Sequence, residues 1–186
     1  MTKIQSFCFL CNLVSIFLVF LITITPSSVA TRDVTELVHS VCNQTSNYTF
    51  CVESLYKDTR TPHADRYELA YVSFGFAYTN AMDTKDRITG LLRNESTSHE
   101  YGLDRLQRCD EDYDKAGPAI EIAFNDLNSE TFFTLAGLAG IASDAAADCQ
   151  VAFEGSGSSP LDSQNKNLKG LCEICVVISK LFTGAR

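Results

Sequence analysis

The chain is 186 residues long, 45% hydrophobic and acidic, with a formal charge of −8. That length and apolar content suit one domain with a sizeable core. The acid excess, with no basic run anywhere, argues against nucleic acid and anionic membranes as partners.

Residues 1–30 read as a signal peptide. Lys3 supplies the positive start, Phe7 to Ile24 is a nearly unbroken apolar run, Pro26 breaks it, and Ser28-Val29-Ala30 offers small residues for cleavage. A membrane anchor is the other reading of such a run. It is disfavoured by Cys8, Cys11, Asn12 and Ser15 inside the run and by the cleavage site after it. Cleavage after Ala30 leaves a single domain over 31–186. Removing Lys3 takes the charge from −8 to −9, and losing Cys8 and Cys11 leaves six of eight cysteines: Cys42, Cys51, Cys109, Cys149, Cys172 and Cys175. Three N-x-S/T sequons, at Asn43, Asn47 and Asn94, fit a secreted glycoprotein.

Helical periodicity dominates the rest. Val34, Leu37, Val38 and Val41 mark an apolar face that ends at Cys42. A polar loop follows, and a short helix resumes around Cys51 with Val52 and Leu55 inward. Residues 57–62 form a connector, since Pro62 disfavours helix in the residue before it. A long helix is predicted from Ala64 to Leu92, with Leu69, Val72, Phe76, Ala77, Ala81, Ile88 and Leu91 as its buried stripe. Residues 94–102 are polar and read as a turn.

The next long helix is predicted over Leu103–Leu127, kinked but not ended by Gly117-Pro118. Asn128 or Ser129 then offers a cap for an Ala- and Gly-rich helix over Thr131–Phe153. GSGSSP at 155–160 is a loop. The last helix carries Leu168, Leu171, Cys172, Cys175, Val176, Ser179 and Phe182 on one face. No segment alternates with period two for the length of a strand, so the fold class is all-α: an up-down bundle with a helical hairpin clipped to one end.

No constellation for catalysis is evident. His39, His63 and His99 lack metal-ligand spacing, no serine-hydrolase elbow is present, and the Gly/Ser loop lacks a phosphate-binding lysine. The carboxylates Asp110, Glu111, Asp112 and Asp114 read as solvated charge near a helix start rather than a glycosidase pair. Cys172-Glu173-Ile174-Cys175 is a C-x-x-C, but it lies within an apolar helical stripe with no strand before it. Two buried reduced thiols are the expectation there. No catalytic residue, metal or cofactor is expected. Six cysteines still allow 15 pairings.

The order and spacing of several fragments narrow this further. They are Leu37-Val38 with Cys42, then Tyr48-Thr49-Phe50-Cys51-Val52-Glu53-Ser54-Leu55, Ala64-Asp65 with Leu69-Ala70, Leu106 with Cys109, Tyr113 and Ala116, Cys149 with Phe153, and Leu168, Leu171, Ile178 and Leu181-Phe182 at the end. Together they resemble the plant invertase and pectin methylesterase inhibitor family over nearly the whole mature length.

The resemblance implies an up-down-up-down four-helix bundle with an N-terminal helical hairpin. It implies two disulfides, Cys42–Cys51 and Cys109–Cys149, with Cys172 an unpaired thiol and Cys175 an extra one. It also implies a non-enzyme of the cell wall, apoplast or vacuole that binds one target enzyme 1:1 and blocks its active-site cleft.

Two targets are open. Cell-wall invertase inhibitors of the family use a Pro-Lys-Phe segment after the third helix to reach the active site. This chain reads Glu130-Thr131-Phe132-Phe133-Thr134 there, which favours pectin methylesterase. Asp148, where pectin methylesterase inhibitors usually have threonine, and Gly117-Pro118, which interrupts a helix expected to contact the target, point the other way. With pectin methylesterase as partner, Glu111 and Asp112 are the expected contact residues. With acid invertase, Phe132 and Phe133 are, and two adjacent phenylalanines cannot both face a core. A reading of another class, a helical carrier or storage protein, lacks its usual C-C and C-x-C signature here.

Overall fold

A computed structural model describes residues 34–155 and 157–184. The signal peptide and its cleavage site lie outside the described residues. Seven α-helices and no strand occur among those described.

Helix α1, Glu36–Cys42, starts where the Thr35 hydroxyl accepts from the Val38 amide at 3.4 Å, and its Val38, Val41 and Cys42 are buried. Helix α2, Tyr48–Leu55, is capped by Asn47, whose Oδ1 accepts from the Phe50 amide at 3.0 Å. Both caps satisfy amides that a helix start leaves orphaned. The Cys42–Cys51 disulfide joins the two, with Cα atoms 5.5 Å apart. The Tyr56 hydroxyl accepts from the Thr35 amide at 2.9 Å and closes the open end of this hairpin. A 3-10 turn, Thr61–His63, then leads into the bundle.

Helix α3, Arg66–Arg93, begins at Asp65, which accepts from the amides of Tyr67 and Glu68. Its buried side is wider than one stripe. Ser73 and Phe74 are buried, while Phe76 is only half-buried. The cause is the packing of α3 against two neighbours at once, which needs two adjoining faces. Residues 95–101 form a short helix, α4 (Glu95–Tyr101), where a turn was expected. Gly102, at φ 88°, ends it. The Ser/Thr content that signals a turn is compatible with one helical step between two longer helices.

Helix α5, Leu103–Asn128, continues through Pro118. Gly117 permits its close approach to α3, since a Cβ there would stand 2.9 Å from the Met82 sulfur. Helix α6, Leu135–Ala152, buries Ala139, Ala142, Ala145 and Ala146, small residues that let its neighbours come close. Helix α7, Asp162–Thr183, ends at Gly184, which adopts φ 67° and donates its amide to the Lys180 carbonyl.

Packing runs α3 to α5, α5 to α6, α6 to α7 and α7 back to α3. The four long helices therefore form a square in which α5 lies diagonally across from α7. Cys109–Cys149 ties α5 to α6, with Cα atoms 4.4 Å apart.

The core is mainly aliphatic, with a few buried rings such as Phe74 and Phe153, and is crossed by a polar network. The Tyr113 hydroxyl donates to Asn165 Oδ1 at 2.8 Å, and Asn165 Nδ2 donates to Gln150 Oε1 at 3.0 Å. Tyr113 and Asn165 are buried, and burial pushes the Tyr113 phenol well up. Their mutual bond is what makes that burial tolerable.

Candidate target-binding surface

The acidic stretch of α5 starts seven residues beyond the first residue of the helix. The terminal dipole has faded there, so solvated charge at a helix start does not describe it. Three of its four carboxylates are paired. Lys85 of α3 reaches Asp110 at 2.8 Å and Asp114 at 2.7 Å, and also donates to the Asp110 carbonyl at 2.9 Å. Residues 110 and 114 lie one turn apart on the side facing α3, which allows one ammonium to bridge them. Asp112 points the other way and accepts from Lys115 at 3.0 Å.

Glu111 remains exposed, but Asp112 is only 9% exposed. The expectation that both lie on an open face is therefore corrected for Asp112. Helical rotation turns it toward the α6 side, and what it presents to solvent is the Lys115 that it holds. The hydrogen bond that Lys115 donates to Asp112 raises the Lys115 pKa, helped by the nearby charges of Asp112, Asp148 and Glu111. The surface there is a mixed-charge patch of Glu111, Lys115 and Asp148. Lys115 could have been found from its i,i+3 spacing to Asp112. Lys85, in another helix, left no such signal.

The α5–α6 corner is the second candidate. Ser129 ends α5, donating its hydroxyl to the Asn125 carbonyl at 2.7 Å, and Asn128 accepts from the Tyr71 hydroxyl at 2.8 Å. Neither residue caps α6, whose N-cap is Thr134, so the expected start of that helix at Thr131 moves to Leu135. Glu130 takes φ 55°, a left-handed conformation that turns the chain. The Thr134 hydroxyl donates to Asp126 and the Thr131 amide to the Asp126 carbonyl, which fixes the corner from both sides.

The two phenylalanines are thereby separated. Phe132 stacks on Phe182 with ring centroids 4.5 Å apart and meets Tyr67 edge-on at 5.8 Å. The Arg66 guanidinium lies over Tyr67 and Phe182. Phe133 points outward and is 86% exposed. A fully presented phenylalanine on a pinned corner is a ready anchor for an apolar slot.

The remaining cysteines and sequons are placed as follows. Cys172 and Cys175 are unpaired and buried in α7. Burial pushes the Cys175 thiol up to about 12 and Cys172 well above its ordinary value, so neither is a reactive thiolate at neutral pH. Asn43, Asn47 and Asn94 are exposed. The Asn43 carboxamide bonds His39 Nε2 at 3.0 Å. Among the described residues, no cluster of three or more His, Cys, Asp or Glu could hold a metal, and no helix is long and apolar enough to cross a membrane.

Bundle, hairpin and paired staples define a helical inhibitor fold, and comparison with known proteins agrees. The family model of plant invertase/pectin methylesterase inhibitors matches residues 36–178. The chain belongs to that family, a class of enzyme inhibitors and not of enzymes.

Among similar proteins, a pectinesterase inhibitor of Actinidia deliciosa is 30% identical over 185 residues, covering 97% of this chain and 98% of its own. The cell wall / vacuolar inhibitor of fructosidase 2 of Arabidopsis thaliana is 33% identical over 123 residues, 63% of this chain and 67% of its own. A crystal structure of a mutant form of a pectin methylesterase inhibitor from Arabidopsis superposes with a TM-score of 0.67. It is 21% identical and covers 79% of this chain and 97% of that one. At that identity the likeness speaks for the fold.

Proposed function

We propose that the chain is a secreted protein inhibitor of pectin methylesterase that occupies the enzyme's active-site cleft 1:1. The observation carrying this reading is the similarity to the Actinidia pectinesterase inhibitor, which extends over 97% of the chain. The match to the fructosidase inhibitor stops at 63%. The signal peptide over 1–30 directs the chain to the apoplast and cell wall, where the acidic mature domain, glycosylated at exposed sequons, meets its target. The contact surface is the α5 patch, with Glu111 and Lys115 touching the enzyme and Asp112 positioning Lys115.

One observation favours a second reading, inhibition of acid invertase in wall or vacuole. It is the outward Phe133 on its pinned corner, supported from behind by Phe132.

Titration of the oxidised mature chain against a plant pectin methylesterase and an acid invertase in parallel separates the two. Loss of demethylesterification at one equivalent, weakened by Glu111→Lys and indifferent to Phe133→Ala, is the expected result. Invertase inhibition lost in Phe133→Ala would replace the first reading with the second. Inhibition of neither enzyme by folded protein would overturn both.

A further inference from the structure

We infer that the groove between the helical hairpin and α7 binds an anionic oligosaccharide, a short chain of sugars that carry carboxylates. The groove has two parts. One cleft of about 540 Å3 lies between the α1–α2 loop, α6 and α7, and a smaller one of about 180 Å3 lies between α2, α3 and α7. Both are lined by Phe50 and Asn167, so the Phe50 ring stands between them. Gly170 makes that placement possible, because a Cβ at this position would lie 2.6 Å from the ring. The larger cleft falls within the size range of small-ligand sites.

The lining suits a polyhydroxylated ligand. Thr45, Ser46 and Ser143 bring hydroxyls, and Asn167 brings a carboxamide able to donate and accept. The smaller cleft includes Asn80, whose carboxamide oxygen is buried without a hydrogen-bond partner. A turn of the Asn80 side chain would bring this oxygen into the cleft, where a sugar hydroxyl would supply the missing donor. Phe50 adds a half-buried aromatic face of the kind on which the C–H side of a sugar ring packs. The lining also holds a second aromatic ring, Phe76, with Leu171 and Ile174, so an acidic peptide is the competing occupant that the test separates.

Charge selects the anion. Three lysines line the groove, Lys57, Lys166 and Lys169, against two carboxylates, Asp83 and Glu173, in a chain whose formal charge is −8. The Glu173 carboxylate is engaged by the Ser46 amide at 2.8 Å and the Ser46 hydroxyl at 2.6 Å. Lys166 is shared with Asp162 at 2.8 Å. Lys57 and Lys169 make no ion pair within the described residues. Lys169 lines the larger cleft and Lys57 the smaller one, so a chain carrying several carboxylates would meet one ammonium in each. The groove and the Glu111 patch share helix α6, through Ser143 and Asp148, but have no residue in common.

The test uses the oxidised mature chain without any enzyme. A tetramer of galacturonate is titrated by calorimetry at low salt, beside its fully methyl-esterified form and a peptide of four glutamates. Binding of the free acid alone is expected, weakening as salt rises. Lys169→Gln and Asn167→Ala are each expected to weaken it about tenfold, the size of one charge-assisted hydrogen bond. Circular dichroism melts confirm that each variant stays folded. The inference is overturned by no binding at millimolar tetramer, by equal binding of the esterified tetramer, or by indifference to both substitutions. Equal binding of the glutamate peptide also overturns it and assigns the groove to acidic peptides. Enzyme inhibition by Lys169→Gln at wild-type stoichiometry keeps failure here distinct from failure of the inhibitor reading.

Discussion

The α5–α6 pair and the N-terminal hairpin each carry one disulfide, but the link does different work in each. Cys109–Cys149 joins two long helices, spans 40 residues and sits among buried side chains that would pack without it. Cys42–Cys51 spans 9 residues and joins helices of 7 and 8 residues, too short to persist alone. The hairpin meets the bundle through its buried Val38, Val41 and Leu55, flanked by Phe50 over Gly170 and Ser46 on Glu173. A crosslink inside a core adds to packing already present. A crosslink in a hairpin turns two marginal helices into one body that can dock.

The sharpest way to break the bundle is through its packing. Phe74→Ala removes a fully buried ring at the α3 contact and is expected to cost about 3–5 kcal/mol in urea unfolding. Replacing Cys109 and Cys149 together by alanine is expected to cost about 4 kcal/mol by loop-closure entropy, with the helical spectrum retained below the transition. The equivalent change at Cys42 and Cys51 is expected to cost about 2.5 kcal/mol. It also raises hydrogen exchange in 36–55 while leaving α5 and α6 protected. Equal loss of protection in both regions would end the contrast between them.

Gly170→Ala tests the dock itself. Its Cβ would overlap the Phe50 ring, and a cost of about 1–2 kcal/mol is expected, read as faster exchange in α2 without change in α5.

The smallest expected effect comes from pH. Cys175 ionises near its ordinary 9.0 when unfolded but is pushed to about 12 in the fold by burial. The fold therefore holds a proton that the unfolded chain releases. The stability linked to this is whole below pH 9 and is lost as pH climbs toward 12. Cys175→Ala is expected to flatten the alkaline decline of the urea midpoint; an unchanged slope would assign that decline to other groups.

Much of the fold was legible because it rests on short-range patterning. The apolar spacings of Val38–Val41, Leu106–Tyr113 and Leu168–Cys175 announce helices, and Pro62 and the Gly/Ser loop announce their breaks. Resemblance then supplied the bundle order and the cysteine pairing. Less of the candidate surface was legible. Glu111 and Asp112 are neighbours in sequence, and only the rotation of α5 against α6 sends one outward and the other onto Lys115.

Sequence alone thus determined where the long helices run, apart from the start of α6, and that Phe132 and Phe133 cannot both face the core, because periodicity and adjacency are local properties of the chain. Tertiary structure decided which phenylalanine stays outside, that Lys85 clamps Asp110 and Asp114, and that Phe50 crosses Gly170 to shape a groove. Each of these joins residues far apart in the chain, and only packing of the elements brings them within contact.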